Sequence, residues 1–247
     1  MHDWPAPVEI VNPTGTSSVV LLCPHASNYL PPQYGTLGVP PSELQRHIAW
    51  DIGAASVTRS LATLLDAVAF LGTSSRLLID LNRPVESVSS IVTRSEHTDI
   101  PANVGITAQE RALRAARVFR PHHQAIAEHL AKRKAGGRRT VIVAIHSFTP
   151  TYDGVARAWH VGVLFAASKP FAQATIERLR AHDASLNVGA NVPYTVEPDT
   201  DYGVLVYGDD IGNPALEFEL RQDLVACAQD QQRWARTLAD ALAVDKV

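Results

Sequence analysis

Only two cysteines, Cys23 and Cys227, occur in 247 residues, so no disulfide framework can staple the fold. No apolar run approaches the ~20 residues that cross a bilayer. The opening residues, Met1-His2-Asp3-Trp4-Pro5, lack the basic and apolar regions of a signal peptide. A cytoplasmic protein without membrane contact is therefore expected. Positive charge is not in excess either. Lys and Arg number 22 against 25 Asp and Glu, a formal net charge of -3, which leaves no electrostatic reason to expect nucleic acid as a partner. Repeats and low-complexity tracts are missing, so solenoids and disordered arms are excluded. What remains is 46% hydrophobic and 19% charged, a globular mix able to bury a sizeable core. One domain over residues 1–247 is expected, working as a monomer or small homo-oligomer.

Short apolar runs alternate with helical patterns along the chain. Strands are expected near 18–23, 67–71, 76–81, 140–145, 159–165, 203–207 and 215–220. Helices are expected from about Ser42 to Leu65, from the capping box Thr107-Ala-Gln-Glu110, from Pro121 to Gly136-Gly137, over 169–183 and over 223–243. Strands alternating with helices imply an α/β fold with a mostly parallel sheet covered on both sides. The basic run Lys132-Arg133-Lys134 with Arg138-Arg139 falls at a helix C-terminus and reads as solvated, dipole-complementing charge, with phosphate binding as the alternative.

Polar residues stand where these apolar runs end, and such positions form the ligand crevice of an open α/β sheet. His25 follows Val19–Pro24, and His146 follows Val141–Ile145. Neutral imidazole is the commonest protein ligand of Zn²⁺, and a catalytic zinc keeps about three protein ligands plus water. Asp51, four residues after His47, is the candidate third ligand; a simple His47–Asp51 helix pair is the other reading. Asn28 is a poor zinc ligand and is assigned to the substrate side. Asn82-Arg83 closes the run Leu77–Leu81, and the planar guanidinium fork matches a substrate carboxylate. A structural salt bridge from Arg83 to Asp80 or Glu86 is the alternative. Glu217 and Glu219 share one face of Leu216–Leu220, and beside a metal-activated water Glu219 would act as general base. Glu217 is the peripheral member of that pair, with a surface-facing edge strand as the alternative for both. Arg157 is the candidate oxyanion stabiliser. His160 is either a supporting group or a satisfied strand histidine, and Tyr194 and Tyr202 are candidate loop residues over the ligand. Cys23 reads as a small buried hydrophobe.

Five strings together resemble the N-formylglutamate amidohydrolase family: Pro24-His-Ala-Ser-Asn28, His47-Ile-Ala-Trp-Asp-Ile-Gly-Ala54, Ser75-Arg-Leu-Leu-Ile-Asp-Leu-Asn-Arg-Pro84, Ala144-Ile-His-Ser-Phe-Thr-Pro150 and Phe218-Glu-Leu-Arg-Gln-Asp-Leu224. More distantly, Asn82-Arg83 and Phe218-Glu219-Leu220-Arg221 are similar to segments of zinc carboxypeptidases and aspartoacylase-like deacylases. The resemblance implies a phosphorylase/hydrolase-like three-layer αβα sandwich with a mixed sheet. It also implies a divalent metal, most often zinc, and cleavage of the amide of an N-acyl amino acid. N-formyl-L-glutamate, cut to formate and glutamate in histidine degradation, is the expected small-molecule substrate. By position, His25 and His146 would hold the metal, Asn82 and Arg83 the substrate carboxylate, and Glu219 would be the base. Where the carboxypeptidase pattern has His-x-x-Glu, this chain has His25-x-x-Asn28. Either Asp51 supplies the missing carboxylate or metal affinity is weak. A carboxypeptidase-like or other deacylase, and a non-catalytic metal- or carboxylate-binding protein, are the alternatives.

Overall fold

A computed structural model describes residues 4–243. Met1-His2-Asp3, part of the segment from which no leader was expected, lie outside that range. Among the described residues there are eleven strands: β1 (Val8–Val11), β2 (Val19–Cys23), β3 (Val68–Gly72), β4 (Arg94–Ser95), β5 (Thr98–Asp99), β6 (Val141–Phe148), β7 (Thr151–Tyr152), β8 (Val155–Ala156), β9 (Val161–Leu164), β10 (Val188–Ala190) and β11 (Ala215–Arg221). Seven of them form one sheet in the order β1-β3-β2-β6-β11-β9-β10. The β1/β3 and β11/β9 pairs are antiparallel and the others parallel. The short hairpins β4/β5 and β7/β8 stand apart from this sheet.

The central strands β2 and β6 read as unbroken apolar runs because both faces are covered. On one side Val19, Leu21, Val143 and Ile145 pack with residues of helices α1 (Ala54–Leu64), α4 (Lys169–His182) and α6 (Ala228–Leu242). On the other, Val20, Leu22, Ile142 and Ala144 meet α3 (Arg120–Ala135) and α5 (Gly203–Tyr207). Each fully buried aliphatic side chain contributes about 1.5–3 kcal/mol. The result is the expected three-layer α/β sandwich with a mixed, mostly parallel sheet. Cys23 is buried in it as a hydrophobe, and burial pushes its thiol up to about 12.

Several elements differ from expectation. The helix expected from Ser42 exists only as α1; residues 42–53 run as short turns, and Gly53, at φ +82°, turns the chain into the helix. A side chain there would also meet the Val225 carbonyl at 2.4 Å. Leu77, Leu78, Ile79 and Leu81 are buried without pairing in the sheet, because they fill the space under a wrapped loop. Residues 203–207 form α5, not a strand. Thr107 does cap α2 (Ala108–Arg114) through the Glu110 amide, and α2 continues into α3 through a π-turn at Ala115–Phe119. Within the basic run, Arg133 is buried, donating to Thr140 and to the Ser17, Ser18 and Arg139 carbonyls.

Candidate active site

The floor of the site is built at the C-terminal ends of β2, β6 and β11. His146 lies in β6 directly beside Glu219 of β11. The pleat sends both, with Glu217, to the face that also carries Ala144 and Ala215. His25 follows β2, and its carbonyl accepts the Asp51 amide at 2.9 Å, tying the 42–53 segment to the strand end. Asp51 is thereby inserted between the two imidazoles, whose centroids are 4.9 Å apart. Its Oδ2 lies 2.8 Å from His146 Nδ1 and 3.4 Å from His25 Nδ1, and it accepts the Ser147 amide at 3.3 Å. His25, Asp51 and His146 therefore do converge, whereas the His47–Asp51 helix pair does not form, since that segment is not helical.

A second carboxylate supports this group. Asp80 Oδ1 is 2.7 Å from His25 Nε2 and accepts the Asn82 amide at 2.8 Å. Asp80 Oδ2 accepts from Arg76 Nη2 at 2.8 Å and Nε at 3.1 Å, and Arg83 Nε stands 3.4 Å away. Burial alone would raise both carboxyls. The charges of Arg76 and His25 hold Asp80 well below the usual range, and His25 with the His146 hydrogen bond does the same for Asp51. Burial and Arg76 oppose a positive His25, yet Asp80 and Asp51 outweigh them and raise its pKa. These groups thus stabilise one another's charges.

Across the cavity, Asn82 bridges to the 191–203 segment. Its Nδ2 donates to Asp201 at 3.4 Å, and its Oδ1 accepts from the Tyr202 and Gly203 amides at 3.3 and 3.2 Å. Gly162 permits this segment to close in, because a Cβ there would sit 1.7 Å from the Val192 carbonyl. Arg83 lines the cavity with one Nη on Ser89 at 3.3 Å, so the alternative of an ion pair with Asp80 engages only the Nε side of its fork. The cavity encloses about 540 Å³, with His25, Asp51, His146, Glu217, Glu219, Asn82 and Arg83 in its wall. That volume suits a small polar molecule.

Both glutamates are buried on an inner strand of the sheet, 2% and 5% exposed for Glu217 and Glu219, and not on a surface edge. Burial pushes Glu217 up to about 8 against the pull of His146. Burial, reinforced by the negative Asp51, takes Glu219 well above the usual range. The Oε2 of each lacks a hydrogen-bond partner, as do His25 Nδ1 and His146 Nε2. Two imidazoles and a carboxylate, buried and within 4.8 Å of one another, with an unsatisfied ring nitrogen on His25, form a donor set that fits a divalent metal such as zinc.

The other candidate residues are not all in the cavity wall. Asn28 donates to the Leu44 carbonyl at 2.8 Å and is not in the cavity wall. Arg157 stands at the rim, its guanidinium 4.7 Å from the Tyr152 ring and 4.9 Å from Tyr194, donating to the Tyr194 hydroxyl at 2.9 Å. Tyr194 lines the cavity, while Tyr202 meets Phe119 edge-to-face and lies tilted against His123. His160 lies in the bend just before β9, and its Nδ1 accepts the Asn187 amide. Sequence reasoning missed Arg76 and Asp201. Arg76 was visible inside the Ser75–Pro84 string; Asp201 carried no signal.

Residues 17–226 match the family described as N-formylglutamate amidohydrolase. None of the curated proteins matches the sequence. Among solved structures, gene product Atu2144 from Agrobacterium tumefaciens is 36% identical, with a TM-score of 0.92 over 96% of this chain and 93% of its own. The N-formylglutamate amidohydrolase from Ralstonia eutropha JMP134 shares the fold, at 18% identity and a TM-score of 0.70, over 97% of both chains. The chain belongs to the N-formylglutamate amidohydrolase family.

Proposed function

We propose that this amidohydrolase cleaves the amide of an N-acyl amino acid with the help of zinc, and that N-formyl-L-glutamate, giving formate and glutamate, is its substrate. The observation that carries the reading is the convergence of His25 Nδ1 and His146 Nδ1 on Asp51 Oδ2, with the Glu219 carboxyl beside His146 in the same cavity. A divalent metal held by His25, Asp51 and His146 would polarise the acyl carbonyl and lower the pKa of water toward about 7.

The remaining steps belong to this chain's own side chains. Glu219 takes a proton from the attacking water and delivers it to the departing amine nitrogen. Asn82 and Arg83 orient the substrate through its carboxylate, fixing the carbonyl relative to Glu219. Arg157, held at the rim through Tyr194, directs positive charge toward the developing oxyanion, an effect worth about 3–4 kcal/mol for a well-placed donor. Asp80 and Arg76 keep His25 oriented. The enzyme acts as one domain, a monomer or small homo-oligomer, on a small molecule in the cytoplasm, within histidine degradation.

Elemental analysis of the purified protein, with His25→Ala and Asp51→Ala variants, tests the metal; about one zinc per chain, lost in both variants, is expected. Turnover of a panel of N-formyl, N-acetyl and peptide substrates tests the acyl group. A wild-type protein without metal, or N-formylglutamate left intact while peptides are cut, overturns the corresponding part.

A further inference from the structure

The two imidazoles are arranged in a chain of buried carboxylates: Asp80, His25, Asp51, His146, Glu217. His25 spans from Asp80 at Nε2 (2.7 Å) to Asp51 at Nδ1 (3.4 Å). His146 spans from Asp51 at Nδ1 (2.8 Å) to Glu217 Oε2 at Nε2 (3.6 Å). The two ends differ. Asp80 is locked by Arg76 and the Asn82 amide, while Glu217 Oε2 and His146 Nε2 face each other with no hydrogen bond.

A neutral imidazole carries one N–H. In the arrangement described, His146 uses Nδ1 against Asp51. Holding a metal jointly with His25 and Asp51 requires the Nδ1 lone pair to be free, so the ring's proton must sit on Nε2. There the facing acceptor is Glu217, on β11 and 2% exposed. We propose that Glu217 is a positioning residue that accepts the Nε2–H of His146, selects that tautomer, and so presents Nδ1 to the metal. The proton stays on the imidazole, moving from one nitrogen to the other, and no further reactant is needed. Asp80 performs the same service for His25, and such carboxylate–histidine pairs orient metal-binding rings generally. The inference rests on the metal reading given above.

The test uses Zn²⁺ alone, titrated into the full chain against a chromophoric chelator, with Glu217→Leu and Glu217→Gln variants. Glu217→Leu removes the acceptor and is expected to weaken zinc binding about 10–100-fold. Glu217→Gln keeps a carbonyl acceptor and is expected to stay within about threefold of wild type, since the N–H still finds a partner. In parallel, two-bond ¹H–¹⁵N correlations of the zinc-loaded wild type should show His146 as the Nε2–H tautomer. This spectrum decides the matter even where Glu217→Leu does not fold. Wild-type affinity in Glu217→Leu, or an Nδ1–H ring at His146, overturns the proposal. Equal loss in both variants also overturns it, in favour of Glu217 as a direct ligand beside Glu219. Wild-type protein that binds no zinc refutes the underlying metal reading, an outcome distinct from all of these.

Discussion

His122 and His123 sit on α3 behind the site, where their rings line a small void with Asn82 and Gly203. Burial brings the His122 pKa down to about 4, against the pull of a hydrogen bond with the Pro7 backbone. A lowered histidine pKa means the unfolded chain binds the proton better. The stabilisation is therefore complete above about pH 6.5 and is lost progressively as pH falls toward 4. Between pH 7 and 4.5, a group moving from 6.5 unfolded to about 4 folded costs about 2 kcal/mol of stability. In His122→Leu that loss disappears, whatever constant offset the lost Pro7 contact imposes. Urea unfolding of chelator-treated wild type and variant at both pH values isolates the effect, because carboxylates contribute equally to both proteins. The gap between the two should move in favour of the variant by about 2 kcal/mol at pH 4.5, or about 4–8 °C in Tm. Stability curves that stay parallel over this range would show that His122 is not held neutral by burial, and the packing behind Asn82 would need another account.

Glu219→Gln should retain its metal yet lose about 10²–10⁴ of turnover, measured by steady-state kinetics alongside elemental analysis. Arg83→Met should raise KM for an N-acyl amino acid about 10–100-fold, the equivalent of a charge-assisted contact of about 1.5–3 kcal/mol. Arg83→Lys should recover that only partly, because lysine lacks the fork; an unchanged KM in both moves the carboxylate to another cation. Arg114 is 2% exposed and donates to the Leu78 carbonyl, Asn103 and Glu110. Arg114→Ala leaves the Leu78 carbonyl and the Asn103 side-chain oxygen without this donor and should lower stability by about 2–4 kcal/mol, read as a fall in Tm.

The site was legible where chemistry coincides with a strand end. His146 and Glu219 stand on β6 and β11 and His25 lies just past the end of β2, and the apolar residues of these strands mark the centre of the sheet. Asp51 was found by its residue type and for the wrong local reason: it projects from an irregular segment, pinned to the His25 carbonyl, and not from a helix face. Leu77–Leu81 shows the limit of apolar patterning. A buried run announces burial, but a wrapped loop and a strand bury side chains equally well. Arg76 and Asp201 enter the site only because such irregular segments fold over the sheet, a matter of long-range packing that no local spacing encodes.

That division bears on the departure from His-x-x-Glu. A carboxylate three residues after His25 would have to come from the turn leaving β2, where Asn28 instead holds the Leu44 carbonyl. The 42–53 segment that this contact steadies then delivers Asp51 between the two imidazoles, on the side opposite Asp80. On the proposed reading, Asn28 would act one step removed from the metal, as a brace on the segment bearing Asp51. Removing its amide donor should disturb Asp51 before it disturbs His25. Asn28→Ala is accordingly expected to weaken zinc binding less than Asp51→Ala while leaving the His25–Asp80 pair intact. Chelator competition on the two variants checks the order, and an Asn28→Ala loss equal to that of Asp51→Ala would place Asn28 among the ligands.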